Sequence, residues 1–140
     1  MKELGILNRD IAALISCQGH GDLMMVADAG FAIPEDREVI DLSIRENVPR
    51  VMDVLTELGK YFSVEKIFMS EETRECNPTH FRKVSQAFGE NVEVELMPHR
   101  ELKQLSKEVK GVIRTGDFTS YGNVILVSGA GDRWQQEKAN

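Results

Sequence analysis

Cysteine is scarce in this sequence, and the cysteines that occur show no pattern typical of a disulfide or a metal site. Cys17 and Cys76 have no paired spacing, and neither belongs to a Cys-x-x-Cys motif. We therefore expect a reducing compartment, of which the cytoplasm is the simplest.

Long apolar runs and an excess of positive charge are missing as well. No stretch approaches the roughly 20 apolar residues needed to cross a bilayer. The segment from Met1 to Gly5 lacks the apolar core of a signal peptide. The formal net charge is −6 and the isoelectric point is near 5.1. An acidic surface disfavours nucleic acid and anionic membranes, so we expect neither as a partner.

The common nucleotide-binding and hydrolase motifs are also absent. No Gly-x-Gly-x-x-Gly lies between an early strand and a helix, and the glycines at 129 and 131 come too late to open a dinucleotide-binding unit. The sequence has no P-loop, no His-Glu-x-x-His and no Gly-x-Ser-x-Gly. The inventory indicates acid-base chemistry or binding on a small polar molecule, with no cofactor and no metal.

The sequence does contain a regular alternation of helix and strand signals. Its 140 residues suit one domain, 1–140, with a polar tail at 132–140. The alternation predicts an α/β fold, a three-layer α/β/α sandwich whose mainly parallel sheet of about six strands has helices on both faces. No helix separates the last two strands, so an antiparallel pairing is expected there. Strands are predicted at 23–27, 39–44, 64–69, 92–96, 112–113 and 124–127, with helices beginning near 8, 49, 77 and 99. Asn8 is expected to cap the first helix and Gly59 to end the second.

His20 and Asp28 flank the first predicted strand. His20 lies between Gly19 and Gly21, which offer no packing for a structural histidine, and Asp28 follows a run without charge. Ligands bind at the carboxyl ends of strands in open α/β sheets, and a histidine and a carboxylate at that edge would form a proton-transfer site. The alternatives are a loop histidine at a helix C-terminus and an Asx-turn at Asp28.

Two more histidines and a pair of carboxylates each have a functional and a structural interpretation. His99 follows the fourth predicted strand and so falls at the same edge as Asp28, although it could instead cap the next helix. His80 lies in an exposed amphipathic helix and is expected at the surface. The pair Glu71-Glu72 follows the third strand, where a solvated helix start is favoured over a catalytic role.

Tyr121, Gly122 and Asn123 lead into the last predicted strand. An aromatic face, a glycine that permits close approach and an amide suit a polyhydroxylated ligand, and the alternative is a tight turn. Because the following strand is the last in the chain, we expect it at an edge of the sheet, where a neighbouring subunit would cover it.

Five short motifs together resemble one known family, the D-ribose pyranase / L-fucose mutarotase family. The similarity keeps order and spacing from about Gly5 to Gly129. The motifs at Gly21 and Gly122 resemble the fucose branch, but most resemble the ribose branch, which we favour. The five motifs are Gly19-His20-Gly21-Asp22, Asp28-Ala29-Gly30 with Ile33-Pro34, Ile40-Asp41-Leu42, Val112-Ile113-Arg114-Thr115-Gly116-Asp117 and Tyr121-Gly122-Asn123.

The resemblance implies a metal-free isomerase that interconverts ring forms of a free monosaccharide, β-pyranose and β-furanose in the ribose branch. It implies His20 as the proton donor, with sugar contacts from Asp28, His99 and the Tyr121-Gly122-Asn123 turn. It also implies homo-oligomeric rings, pentamers or decamers, in which an adjacent subunit completes the site.

The residues are suited to this chemistry in their own right. Opening a cyclic hemiacetal removes a proton from the anomeric hydroxyl and delivers one to the ring oxygen. Histidine, with a reference pKa of about 6.5, can do either near neutral pH. Two other functions stay open: a sugar-binding oligomeric module that makes no use of proton transfer by His20, and an aldose-ketose isomerase with Glu71 or Glu72 as base.

Overall fold

Six β-strands and five α-helices alternate along residues 1–138, the part of the chain that this computed structural model describes. In chain order they are α1 (Arg9–Ser16), β1 (Leu23–Ala27), β2 (Glu38–Asp41), α2 (Val51–Tyr61), β3 (Val64–Ser70), α3 (Glu71–Cys76), α4 (Pro78–Ser85), β4 (Glu93–Met97), α5 (His99–Leu105), a 3-10 turn (Ser106–Glu108), β5 (Gly111–Arg114) and β6 (Val124–Ser128).

All six strands form one sheet in the order β2-β5-β1-β6-β3-β4. Strand β5 pairs in parallel with β1 and β2, β3 pairs in parallel with β4, and β6 alone runs antiparallel, to both β1 and β3. The predicted α/β fold with a mainly parallel sheet is confirmed. The predicted edge position of β6 is wrong, because β6 is buried along its whole length and lies inside the sheet. Continuous burial of this kind suits an interior strand.

Alternate side chains of the sheet pack into two apolar layers of unequal size, one on each face. Met24 and Val26 of β1 face the larger layer, which is packed by α1, α2 and α4. Met25 and Ala27 face the smaller layer, which is packed by α5 and by Phe31. The alternation follows from the two-residue period of a strand, so a continuously apolar β1 supplies both layers.

Local signals set most helix boundaries, and one glycine does not act as predicted. The Asn8 side chain accepts hydrogen bonds from the N–H groups of residues 10 and 11 and caps α1, as expected. Gly59 was expected to end α2, but the helix continues to Tyr61. A Cβ atom at Gly59 would lie 2.9 Å from the carbonyl oxygen of Ala87. The glycine therefore serves the close approach of α2 to the segment that follows α4.

Two further points concern the chain as a unit. Residues 132–138 of the predicted polar tail contain no helix or strand, and its last two positions, 139 and 140, lie outside the described residues. That 1–140 acts as a single domain stays a prediction. Within residues 1–138, no helix is both long and apolar enough to span a membrane.

Replacing Gly59 by alanine tests the close packing of α2. Alanine is favoured over glycine by about 1 kcal/mol inside a helix, yet we expect Gly59→Ala to lower the free energy of unfolding by about 1–3 kcal/mol, the usual cost of overpacking. Urea denaturation measures the change, and Lys60→Ala, an exposed neighbour, serves as control. A stabilised Gly59→Ala variant would contradict the assigned contact.

Candidate active site

A cleft of about 560 Å³ opens beside the carboxyl end of β1, at the edge of the sheet where β6 begins. It brings together four of the residues singled out from the sequence, Asp28, His99, Tyr121 and Asn123. The lining also includes residues that were not predicted as contacts: Phe31, Lys103, Asp117, Phe118 and Thr119. Asp117 belongs to one of the five motifs, and Phe31 follows Asp28 by three residues. Their positions in the sequence could therefore have indicated that both lie near the site.

Asp28 is nearly enclosed, with 8% of its surface exposed. Its Oδ1 atom accepts the N–H of Gly30 at 3.0 Å, and Oδ2 accepts the N–H of Gly122 at 3.2 Å. Burial raises the pKa of Asp28, while these N–H donors act in the opposite direction. The first of them is the Asx-turn that the sequence offered as an alternative, so Asp28 shapes the turn and lines the cleft at once.

Asn123 is joined to Asp28 through the backbone. The Asn123 Oδ1 atom accepts the N–H of Asp28 at 2.8 Å, and Asn123 is 2% exposed. This bond fixes the orientation of the amide and leaves its Nδ2 group as the donor for a ligand. The link spans the start of β6 and the end of β1, which are antiparallel neighbours.

Aromatic rings form one side of the cleft. The His99 ring meets Tyr121 edge-on at a centroid distance of 5.1 Å, and Phe31 at 6.0 Å. Its Nδ1 atom is buried and has no hydrogen-bond partner within residues 1–138. An unpaired buried polar atom costs about 1–3 kcal/mol, so the His99 ring carries an incompletely satisfied nitrogen in the wall of the cleft.

The turn before β6 has an unusual backbone. Tyr121 adopts φ +56°, in the left-handed region that non-glycine residues rarely enter. A Cβ atom at Gly122 would lie 2.9 Å from the carbonyl oxygen of Thr119, so the next residue must be glycine for the turn to close. Strain of this kind concentrates at binding sites, where the surrounding structure holds it in place.

Asp117 is a second buried carboxylate beside the cleft. Its Oδ1 atom accepts the N–H of Thr119 at 2.8 Å, and Oδ2 accepts the N–H of Val51 at 2.9 Å, at the start of α2. Burial acts to raise the pKa of Asp117, but the two N–H donors outweigh it and the net shift is downward. Asp117 therefore stays ionised and holds the 117–119 loop on α2.

The loop that carries Asp28 is also tied to the neighbouring strands. The Arg114 guanidinium at the end of β5 donates to the carbonyl oxygen of Ala29 at 2.9 Å and to the Asp41 carboxylate at 3.0 Å. The motif residues at Asp41 and Arg114 thus support the cleft from outside its lining. Within residues 1–138, no group of three or more His, Cys, Asp or Glu side chains is arranged to hold a metal.

His20 lies at the other end of β1, and the predicted edge shared with Asp28 is wrong. The residue precedes the strand, whereas Asp28 follows it, and five strand residues span roughly 17 Å at about 3.3–3.4 Å per residue. The Nε2 atom of His20 lies 2.9 Å from Glu65 Oε2, and 67% of the His20 side chain is exposed. Gly21, at φ +88°, allows the sharp turn beside it.

His80 lies closer to the cleft than its helical pattern predicts. It is half-buried, and its Nε2 atom lies 3.1 Å from the carbonyl oxygen of Gly122. A carbonyl only accepts hydrogen bonds, so Nε2 carries the proton. An exposed position was expected because an amphipathic pattern does not register a contact with a loop 42 residues away.

The family model of the RbsD / FucU transport protein family matches residues 1–131. The chain belongs to this family. Among its relatives, the D-ribose pyranase of Pseudothermotoga lettingae is 38% identical over 138 residues, 99% of either chain. The D-ribose pyranase of Halalkalibacterium halodurans is 43% identical over 129 residues, which cover 92% of this chain and 98% of the relative.

Two solved structures share the fold of this chain. Bacillus subtilis RbsD complexed with D-ribose superposes with a TM-score of 0.88 at 37% identity, covering 93% of this chain and 98% of that one. The fucose mutarotase of Streptococcus pneumoniae in complex with L-fucose gives 0.74 at 15% identity, covering 94% and 99%. At that identity the second likeness shows the fold alone.

Asp117→Asn tests the buried carboxylate through its pH dependence. An amide keeps one acceptor oxygen, so one buried N–H loses its partner and we expect a loss of about 1–3 kcal/mol at pH 7. The pKa of Asp117 is lower in the folded than in the unfolded state, so its contribution is full above the unfolded value of about 3.9. As pH falls through the folded pKa, that contribution disappears, and the variant approaches the wild type.

Urea denaturation at several pH values measures this difference. Asp132→Asn, at an exposed position in the tail, is the matched control and is expected to behave as the wild type. A gap between Asp117→Asn and the wild type that widens on acidification would contradict the assignment.

Proposed function

We propose that this chain is a D-ribose pyranase, an isomerase that interconverts the β-pyranose and β-furanose forms of free D-ribose. The observation that carries the proposal is the cleft itself, in which the Asp28 carboxylate, the His99 ring and the Asn123 amide converge beside Tyr121. Curated D-ribose pyranases at 38% and 43% identity over nearly their whole length support the same reaction.

The proposed roles follow from the donors and acceptors at the cleft. Each Asp28 oxygen accepts one backbone N–H and retains a further acceptor position for a sugar hydroxyl. Asn123 supplies an amide donor, Gly122 keeps the turn tight, and the His99 ring lines the cleft. The Tyr121 ring provides an apolar surface for the sugar, which has hydroxyl-poor faces as well as polar edges.

His20 is proposed as the group that transfers the proton. Histidine is the side chain best suited to both accept and donate a proton near neutral pH, and His20 is exposed to solvent. Glu65 holds Nε2, so Nδ1 is the ring nitrogen available to the sugar. The His20 imidazole, held by Glu65, can remove a proton from the anomeric hydroxyl and return one to the ring oxygen. The reaction involves no change in oxidation state.

We propose that the chain forms a homo-oligomer, and the separation of His20 from Asp28 supports this proposal. One subunit presents the binding cleft at one end of β1 and the histidine at the other, so His20 of an adjacent subunit would complete the site. Contacts that repeat head to tail close into rings, and we propose a pentamer or a decamer. Because β6 lies inside the sheet, it is not an exposed edge strand that a neighbouring subunit would need to cover. The proposed assembly is supported instead by the position of His20.

The alternative functions find less support at the residues. An aldose-ketose isomerase would use Glu71 or Glu72 as base, but neither residue lines the cleft, and both Glu72 oxygens accept the backbone N–H of His99, at 3.2 and 3.0 Å. Cys17 and Cys76 are exposed and free, which suits the proposed cytoplasmic location because exposed thiols persist in a reducing compartment.

Ring-form exchange of free sugars tests the reaction and the substrate together. We expect the protein to accelerate pyranose–furanose exchange of D-ribose in saturation-transfer NMR, more strongly than anomer exchange of L-fucose. His20→Ala is expected to lose about 10²–10⁴-fold in rate, the usual contribution of one positioned proton transfer, while Cys17→Ala, on the same exposed turn, keeps the wild-type rate.

Other results would select among the alternatives. Preferred exchange of L-fucose would make the chain an L-fucose mutarotase. Binding of ribose without exchange would make it a sugar-binding module, and uptake of solvent deuterium at C2 would indicate an aldose-ketose isomerase.

Subunit mixing tests the shared site. His20→Ala and Asn123→Ala proteins, each inactive alone, are dissociated, mixed in equal amounts and reassembled. In a closed ring with random order, about one quarter of the interfaces then combine an intact His20 with an intact Asn123. We expect activity to return to that fraction, with each variant reassembled alone as control. Mixed rings without activity, or a fully active monomer, would contradict the shared site.

A further inference from the structure

The short helix α3 forms hydrogen bonds to the backbone of two residues of the cleft, His99 and Tyr121. It starts directly after β3, where the Ser70 Oγ atom accepts the N–H of Thr73 at 3.1 Å and caps the helix. Two consecutive side chains of α3, Glu72 and Thr73, then point to different partners. Neither residue lines the cleft.

Glu72 reaches the His99 side. Its two oxygens accept the N–H of His99, which is the first residue of α5, at 3.2 and 3.0 Å. A carboxylate at this place satisfies a helix N–H that has no partner within its own helix. The bond also fixes the backbone from which the His99 ring extends into the cleft.

Thr73 reaches the Tyr121 side. Its hydroxyl is fully buried and donates to the carbonyl oxygen of Tyr121 at 2.5 Å. Since that hydroxyl has a single proton, the Ser70 hydroxyl must donate to Thr73 across the 2.9 Å that separate them. The order of donors is therefore fixed from Ser70 through Thr73 to Tyr121.

The flanking carbonyls of the same turn are held from the neighbouring chain segment. Asn77 Nδ2 donates to the carbonyl oxygen of Ser120 at 2.6 Å, and His80 Nε2 donates to that of Gly122 at 3.1 Å. With Thr73, three side chains within eight residues thus engage three consecutive carbonyls, those of 120, 121 and 122. A left-handed tyrosine persists only where its surroundings over-determine the backbone, and these bonds supply that constraint.

We propose that α3 is a brace that sets the relative position of His99 and Tyr121, and that Glu72 and Thr73 are positioning residues for the sugar. The inference rests on the proposed function, in which those two rings contact ribose. Because both residues act on backbone atoms, their loss would displace the rings without removing any group that touches the sugar.

Four substitutions and two controls test the brace by steady-state kinetics. Thr73→Val and Glu72→Ala are expected to raise KM for ring-form exchange about 10-fold, equivalent to about 1.4 kcal/mol of lost binding, with kcat within about 3-fold of the wild type because His20 is untouched. Thr73→Ser and Glu72→Gln each retain the donor or an acceptor and are expected to restore KM to within about 2-fold.

The controls separate positioning from stability. Thr56→Val removes a hydroxyl that bonds a carbonyl within α2, far from the cleft, and Glu75→Ala removes an exposed carboxylate of α3 itself. Both are expected to keep the wild-type KM. A wild-type KM in Thr73→Val and Glu72→Ala, or an equal rise in the controls, would overturn the brace.

Histidine ring NMR gives a readout that does not depend on activity. The chain has three histidines, so the His99 ring signals can be assigned by substitution of the others. We expect Thr73→Val and Glu72→Ala to shift the His99 signals and leave those of His20 unchanged. If the wild type fails to exchange ribose forms, the proposed function fails while the NMR result still decides the brace; unchanged His99 signals in both variants overturn the brace. If Thr73→Val does not fold, Glu72→Ala decides by the same two measurements.

Discussion

The reversed direction of β6 is the constraint on which the cleft depends. Five strands of the sheet run parallel, and β6 runs against both of its neighbours. Its first residues therefore lie beside the last residues of β1, where Asn123 bonds the backbone of Asp28 and Gly122 bonds its side chain. If β6 ran parallel to the other strands, residues 121–123 would lie at the opposite edge of the sheet, where the parallel strands begin. They would then be far from Asp28, which follows the carboxyl end of β1.

Burial then gives the cleft its chemistry. Asp28 and Asp117 are both enclosed, yet their pKa values move in opposite directions because they differ in the balance between desolvation and N–H donors. Asp117 spends both oxygens on the backbone and acts as a structural anion. Asp28 is less fully compensated, and it lines the cleft together with the His99 ring. Binding capacity is thus concentrated where the fold leaves polar groups incompletely satisfied.

The sequence was informative where the signals were local. The bounds of β1, the Asn8 cap and the positions of Asp28 and His99 past strand ends all follow from short-range patterns, since parallel strands bring their carboxyl ends to one edge. Contacts between residues far apart in the sequence could not be predicted from these patterns. The sequence predicts that Gly59 ends a helix, because the contact with the carbonyl oxygen of Ala87 exists only in the folded chain. It predicts an exposed His80 because the contact with the turn before β6 is also distant in sequence. His20 and Asp28 do not share an edge of the sheet, because His20 precedes β1 and Asp28 follows it.

The opposite placement of His20 and Asp28 makes the number of working sites a property of assembly. Under the proposed arrangement, each subunit carries two complementary half-sites, one at either end of β1. A single head-to-tail contact completes one site and leaves two halves idle, whereas ring closure completes one site for every subunit. Dilution below the dissociation constant of the ring would therefore abolish turnover while every subunit remained folded, so that catalytic output would depend on protein concentration more steeply than linearly.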